Sequence, residues 1–217
     1  MSRVKQFQSR RFASTYADLI ADPRYRAATR FFLDELYGDT SYAERDAQFS
    51  RVAGAIQRLL PEQAVKTAVA LAELHALSEQ LDQALGVAWL GSHVAANTDE
   101  TSRYIEAWRL VGCRADRDTQ LRIVMDIGAE LERLTRTTGL RVMLRMMRGP
   151  AHAAGLGALQ SFLEAGFDTF ASMSNHGPGS KGFLAIIRQR ESRLIELLFD
   201  ADFASCHDEI SRLLVSV

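Results

Sequence analysis

The chain has 217 residues with a formal net charge of −1, and 47% of its residues are hydrophobic and 24% charged. This composition argues against a disordered or fibrous protein, and the balanced charge gives no overall attraction to nucleic acid. No apolar run approaches the roughly 18 residues of a membrane-spanning helix, and Cys113 and Cys206 form no disulfide pattern. We therefore expect one cytoplasmic domain spanning residues 1–217.

Apolar residues recur every three or four positions along the chain, which predicts helices rather than strands. Pro23, Pro61 and Pro150 stand where a proline commonly begins a helix. We found no alternating strand pattern. The pattern predicts a compact all-α domain of about 8–10 helices and leaves a globin-like arrangement and a bundle both open. The predicted helices are 8–21, 23–37, 42–60, 62–90, 99–111, 116–137, 140–148, 151–172, 181–199 and 203–215.

The segment TRFFLDELYGD, residues 29–39, is the most distinctive stretch in the sequence. If a helix begins at Pro23, one of its faces contains Tyr25, Ala28 and Phe32. Such an aromatic stripe is typical of a helix packed against the core, although it also suits the wall of a ligand pocket. We interpret the stripe first as core.

Four segments resemble an uncharacterised family of bacterial proteins of about this length. They are RFFLDELYGD, ERDAQFSRV, LAELHALSEQLD and LGALQSFLEAGFDTFASM. The resemblance covers most of the chain and implies bacterial origin and a cytoplasmic location. It implies no activity and no catalytic residues.

Histidines and acids offer only weak signs of a metal or a cofactor. His75, Glu79 and Asp82 lie at i, i+4 and i+7 on one predicted helix, but the second copy that a di-iron bundle needs is missing. We interpret them as a polar helix edge. In a globin-like fold His75, His93 or His152 could ligate haem, although a lone histidine is more often structural. No metal and no cofactor is predicted.

A stretch without acids, residues 133–148, is the strongest local charge feature. Arg141, Arg145 and Arg148 would share one face of a short helix and could bind an acidic protein partner. Aromatic residues for base stacking are missing from the stretch, which argues against single-stranded nucleic acid. A solvated face is the simpler interpretation.

The loop HGPGSKG, residues 176–182, only partly matches a phosphate-binding loop, because the order is Gly-Ser-Lys and no strand precedes it. Ser180 and Lys181 could open a helix whose N–H groups attract an anion. A surface loop followed by a helix cap explains the same residues.

No catalytic residue is predicted, because no nucleophile elbow is present and Cys206 and His207 diverge as helix neighbours. The first functional hypothesis is a non-enzymatic interaction or adaptor protein that acts through its surface, as a homo-oligomer or with a partner. The alternative is a small-molecule-binding or sensor domain for an apolar ligand or haem. Its pocket between helices would be walled by Phe31, Phe32, Trp89 and Phe167. An enzyme of unrecognised mechanism is the third hypothesis.

Overall fold

A computed structural model describes residues 2–36, 62–91, 99–155, 157–173 and 179–215. These residues are almost entirely helical and contain no strand, which confirms the predicted all-α class. The helices are α1 Ser2–Thr15, α2 Ala17–Ala21, α3 Arg26–Leu36, α4 Glu62–Gly91, α5 Glu100–Val111, α6 Arg114–Thr135, α7 Leu140–Met146, α8 Arg148–Ala153, α9 Gly157–Met173, α10 Gly179–Asp200 and α11 Phe203–Val215. The predicted helix 42–60 lies outside the described residues.

The first two predicted helices have different ends in the structure. The first begins earlier, at Ser2, and is interrupted at the buried Tyr16 between α1 and α2. Pro23 lies in a turn rather than in a helix, because the Asp22 carboxylate accepts the backbone N–H of Arg24 at 2.9 Å. Aspartate commonly closes such a turn, so α3 begins only after it.

The predicted helix 151–172 is divided in two, as α8 and α9. Gly155 has φ +71°, a left-handed backbone conformation that a residue with a Cβ rarely adopts. Pro150 therefore lies inside the short helix α8 instead of opening a long one.

Helix α6 lies at the centre of the described structure and packs against α4, α9 and α10. Gly128 lets α6 approach α10, since a Cβ at this position would lie 2.5 Å from Cδ2 of Leu184. Helix α5 packs on α4 and α11, and α1 also packs on α4 and α11. None of the described helices is both long and apolar enough to span a membrane.

The buried apolar side chains fall into separate clusters rather than one continuous core. The first includes Val4, Phe7, Trp89, Tyr104, Trp108 and Leu198. The second includes Phe12, Tyr16, Phe32, Met125, Phe183 and Ile187. The third includes Leu71, Leu74, Ile127 and Phe162. Members of all three clusters line one cavity, which lies where the clusters meet.

Candidate functional site

A cavity of about 130 Å³ lies between α1, α4, α5, α6 and α10. Its wall is unusually polar for the interior of a helical protein. The polar side chains that line it are Lys5, Gln8, Arg11, His75, Ser78, Glu79, Asp82, Tyr104, Trp108, Arg117, Gln120 and Glu191. We call it the polar cavity.

Helix α1 shows how the local sequence builds this wall. Val4, Phe7 and Phe12 form the buried stripe of the helix, and Gln8 and Arg11 lie on the same stripe with only 7% and 4% of their surface exposed. A helix turns every 3.6 residues, so this spacing points all five side chains inward. The same pattern recurs on the other helices, where polar residues occupy positions of the apolar stripe: His75, Ser78 and Asp82 on α4, Arg117 and Gln120 on α6, and Glu191 on α10.

One wall of the polar cavity is held by a buried ion pair. Arg11 Nη1 donates to Glu191 Oε1 at 2.6 Å, and the two side chains are only 4% and 13% exposed. The Tyr16 hydroxyl donates to the same oxygen at 2.8 Å. Because a buried charge costs several kcal/mol unless it is paired and hydrogen-bonded, these contacts hold the Glu191 carboxylate in place.

The rim of the cavity is formed by a second, more accessible ion pair. Lys5 Nζ lies 2.5 Å from Glu79 Oε1, with 28% and 38% of the two side chains exposed. The pair joins α1 to α4 where the cavity wall approaches solvent.

A hydrogen-bonded chain crosses from α6 to α4. Arg117 Nη1 donates to Gln120 Oε1 at 3.3 Å, Gln120 Nε2 donates to Ser78 Oγ at 2.6 Å, and Ser78 Oγ donates to the carbonyl of Leu74 at 2.8 Å. The Arg117 guanidinium lies 4.1 Å from the centre of the Trp108 ring, a cation–π distance. These contacts fix the Arg117 charge against the indole.

Asp82 lies on α4, as Ser78 does, and accepts one hydrogen bond from Gln8 Nε2 at 3.1 Å. Burial raises the pKa of the Asp82 carboxyl, and the nearby Glu79 raises it further. The Gln8 hydrogen bond and the charges of Arg117 and Lys5 oppose this shift without cancelling it. The neutral acid is therefore favoured at Asp82 more than at an ordinary aspartate.

Tyr104 and Trp108 on α5 each carry a buried polar atom that is not hydrogen-bonded. Within the described part of the chain, neither the Tyr104 hydroxyl nor the Trp108 indole nitrogen has a hydrogen-bond partner, and the two residues are 1% and 6% exposed. Burial raises the pKa of Tyr104, and the charges that modulate it belong to Arg11, Arg117, Asp82 and Glu191. All four residues line the polar cavity together with Tyr104.

Comparison with known proteins assigns the chain to a family but to no activity. The domain of unknown function DUF8198 matches residues 1–205. The chain belongs to this family. No curated protein and no solved structure matches it. This agrees with the resemblance to a family without an established function, and the chemistry of the site has to be inferred from its own residues.

Three of the four aromatic residues expected to wall one pocket line a cavity or depression, but not the same one, since Phe167 lines a separate and more open depression. Phe32 lines the polar cavity, and Phe31 and Phe32 both line a smaller apolar cavity next to it. Trp89 instead packs in the first cluster against Phe7, with ring centroids 6.1 Å apart. Phe167 belongs to a separate cluster around Leu140. The aromatic stripe on α3 therefore packs in the core and also contributes to the walls of the two cavities.

His75, Glu79 and Asp82, which we interpreted as a polar helix edge, all line the polar cavity. Of the other possible haem ligands, His152 is exposed on α8 and His93 lies outside the described residues. Over the ranges that the structure describes, His, Cys, Asp and Glu side chains form no group of three suited to a metal ion.

Residues 133–148, the stretch without acids, are called the basic stretch below. Its three aligned arginines lie on two different helices in the structure. Arg141 and Arg145 lie on α7, whereas Arg148 begins α8. Arg141 Nε contacts Asp168 at 2.8 Å, and Arg148 Nε donates to both oxygens of Glu164 at 2.8 and 2.9 Å. Two of the three charges are thus already paired with acids of α9. Their binding of an acidic partner stays a prediction.

A more open depression of about 470 Å³ lies beside this region and includes Arg136 and Arg141. Arg136 pairs with Glu132 at 2.6 Å, so both of its arginines have acidic neighbours. The depression therefore makes a weaker case for an anion site than the polar cavity does.

Ser180 and Lys181 lie in the first turn of α10, as predicted for residues that open a helix. Ser180 is only 2% exposed, whereas Lys181 is exposed. The hydroxyl is thus directed away from the surface that an anion would approach. Anion binding by this pair stays a prediction.

Most residues of the polar cavity were missed by the sequence analysis. The signal that could have revealed them is a polar residue at a position where the helical period requires an apolar one, as at Arg11, Arg117 and Glu191. Arginines near a chain end or within a charged segment look like surface residues until the period is counted.

Proposed function

We propose that the protein is a small-molecule-binding domain and that the polar cavity is its ligand site. The observation that carries this proposal is a pair of buried polar atoms, the Tyr104 hydroxyl and the Trp108 indole N–H, which have no hydrogen-bond partner in the described structure and belong to two residues that line the cavity. More than nine in ten buried polar groups are hydrogen-bonded. A ligand that accepts from both groups would supply what is missing.

The free-energy cost of burying two polar groups without hydrogen bonds supports a ligand site rather than a packing defect. A buried donor or acceptor left unsatisfied costs about 1–3 kcal/mol, and α5 places two of them side by side, at Tyr104 and Trp108. Binding sites often contain such groups, because they select a ligand that carries the complementary atoms.

The volume limits the size of the ligand. A cavity of about 150 Å³ accepts benzene, and the polar cavity measures about 130 Å³. Pockets for drug-sized molecules are several times larger. We therefore expect a compact ligand with at most a few polar groups, which favours a small metabolite over haem.

The other functional hypothesis, an adaptor that acts through its surface, is less supported by the side chains. Its main residues, Arg141 and Arg148, are paired within the protein. A bacterial origin, a cytoplasmic location and a single-domain organisation remain part of our proposal, on the strength of the family resemblance and the chain length.

The experiment combines native mass spectrometry with a thermal-shift screen of small metabolites. We expect a bound mass on the purified protein, or compounds that raise the melting temperature of the wild-type protein. The test variant is Tyr104→Phe, and the matched control is Tyr25→Phe, because Tyr25 is a buried tyrosine that lines neither cavity.

Tyr104→Phe should act in opposite directions on stability and on binding. Removing an unsatisfied hydroxyl is expected to leave the free protein as stable as the wild type or more stable. It should weaken ligand binding about tenfold, which corresponds to roughly 1.4 kcal/mol. If no compound binds, and Tyr104→Phe behaves like Tyr25→Phe in every assay, the cavity holds only water and the proposal is wrong.

A further inference from the structure

The polar cavity borders a smaller apolar cavity, which we call the annexe. This smaller cavity, of about 50 Å³, is lined by the ring of Phe31 and by Ile127, Leu131 and Leu163. Five residues line both spaces: Phe32, Leu71, Leu74, Val124 and Phe162. The shared wall makes the two cavities direct neighbours, one lined by polar groups and the other almost entirely apolar.

The annexe is bounded by aromatic rings and by a glycine. The rings of Phe31 and Phe162 lie 5.3 Å apart, and Phe31 lies 6.3 Å from Phe32. A Cβ at Gly166 would approach Cζ of Phe31 to 3.3 Å, so glycine lets α9 lie against this ring. The described lining contains Thr67 as its only hydrogen-bonding side chain. Such a space suits a hydrocarbon group.

The polar end favours an oxygen acceptor. The Trp108 indole N–H can only donate a hydrogen bond, the Tyr104 hydroxyl can donate, and the Arg117 guanidinium lies 4.1 Å from the indole ring. Two oxygens on one group can accept from such a cluster, and arginine binds carboxylates with particular preference.

The charges of the wall favour an anionic ligand over a cationic one. Among the described residues the cavity is lined by three cationic side chains and three carboxyls: Lys5, Arg11, Arg117, Glu79, Asp82 and Glu191. Burial raises the pKa of the Asp82 carboxyl, which shifts the balance of the wall toward positive charge. A carboxylate suits such a wall better than an ammonium ligand does.

We propose that the ligand is a small monocarboxylic acid with an apolar tail, whose carboxylate lies at Tyr104, Trp108 and Arg117 and whose hydrocarbon part fills the annexe. This inference rests on the proposed function and adds the chemical class of the ligand. Acids with a short aliphatic chain or a single aromatic ring match the combined dimensions.

The test measures the binding of straight-chain carboxylates from acetate to octanoate, with alcohols and amines of equal length as comparisons. The Trp89→Phe variant leaves Trp108 as the single tryptophan, so its fluorescence reports on the polar end. We expect affinity to rise about fourfold with each methylene group until the annexe is full, and then to fall. At equal length we expect the acid to bind more tightly than the alcohol and the amine to bind least.

Two substitutions at one annexe residue provide the decisive control. Ile127 is buried and lines the annexe but not the polar cavity. Ile127→Phe should shift the best chain to a shorter acid, and Ile127→Val to a longer one, while acetate binds equally to both. The smaller substitution keeps the test decisive even if the larger side chain prevents folding.

The outcomes separate this inference from the proposed function. If acids bind without dependence on chain length, or if the Ile127 variants do not shift the optimum, the annexe is not part of the site. If alcohols or amines bind better than acids, the carboxylate assignment is overturned and the proposed function stands. If no compound of these series or of the metabolite screen binds, both proposals fail together.

Discussion

At Asp82, burial raises the pKa of the carboxyl and the nearby positive charges lower it. Its carboxyl accepts from Gln8 on α1 and faces Lys5 on α1, Glu79 on its own helix and Arg117 on α6. Burial is the largest influence and raises its pKa, and Glu79 adds to the shift. The folded protein therefore holds this proton more tightly than the unfolded chain does.

The raised pKa determines how the stability of the protein depends on pH. Below the ordinary pKa of 3.8, Asp82 is protonated in both the folded and the unfolded chain and carries no penalty. As pH rises through the higher native pKa, the unfolded state loses its proton more readily and stability is lost. Asp82→Asn, which keeps an acceptor for Gln8, should therefore be more stable than the wild type at pH 7, with the gap closing toward pH 4.

Urea unfolding of both proteins between pH 4 and pH 8 checks this prediction. Asp126→Asn is the control, because this aspartate is 68% exposed and pairs with Arg122 on the surface of α6. A stability gap between Asp82→Asn and the wild type that stays constant across this range would contradict the assignment of a raised pKa.

At the scale of the element, side chains in and next to α5 complete two helix ends, the N-terminus of α5 itself and the C-terminus of α10. Asp99 caps its N-terminus, since its carboxylate accepts the Ser102 N–H at 3.0 Å and the Ser102 hydroxyl at 2.8 Å. In its last turn Arg109 donates to the carbonyls of Leu198 and Ala201, at 2.9 and 2.7 Å. Carbonyls at the end of a helix have no partner within it, so Arg109 completes the C-terminus of α10.

The cap at Asp99 also responds to pH, with the opposite sign to Asp82. Burial opposes ionisation and is the largest single influence on its pKa. The hydrogen bonds from the Ser102 N–H and hydroxyl and from His207 together outweigh it and lower the pKa to about 2. Stability from this group is present above pH 3.8 and is lost as pH falls toward 2. Asp99→Ala should cost about 1 kcal/mol at pH 7, a modest value because more than half of the side chain is exposed.

Unfolding at pH 7 and pH 3 measures this effect, and Asp99→Ser is the matched control. Serine keeps an oxygen that can cap the helix but carries no charge. We expect it to retain most of the stability at pH 7 and to lose the dependence on pH. Equal losses for Asp99→Ala at both pH values would contradict the role of the ionised cap.

At the scale of the whole molecule, ion pairs join different helices, both neighbours along the chain and helices distant in sequence. Arg190 binds Asp18 through two contacts of 2.7 Å, Arg193 binds Glu209 at 3.0 Å, and Arg148 binds Glu164. Arg141 and Arg148 of the basic stretch also pair with acids of α9, which gives these two arginines a structural role in addition to any binding of a partner.

Charge-reversal variants can distinguish the structural role of these arginines from a role in binding an acidic partner. Arg148→Glu places a carboxylate opposite Glu164 and should lower the urea midpoint, whereas Arg145→Glu removes only a longer-range attraction to Glu164 and should lower it less. If the predicted acidic partner exists, Arg145→Glu should weaken its capture in a pull-down, and the capture should also weaken with added salt. Capture that is unaffected by Arg145→Glu and by salt would show that the arginines are only structural.

The sequence by itself determined the fold class and much of the helical pattern, because the 3.6-residue period is a local property of the chain. It also predicted that Phe32 faces inward on α3, and Phe32 is only 6% exposed. Helix ends were less predictable where a turn competes with the helix, as at Asp22 before Pro23. There one side-chain hydrogen bond decides the boundary.

The polar cavity was decided by the tertiary structure alone. Arg11 and Glu191 form its buried ion pair although 180 residues separate them along the chain, and no local pattern states which helices will meet. The period could show that His75, Glu79 and Asp82 share a face, but not that this face lines a cavity. Whether such a face meets water or another polar helix depends on how α1, α4, α6 and α10 pack. That packing is set by contacts between the apolar stripes of helices that are far apart along the chain.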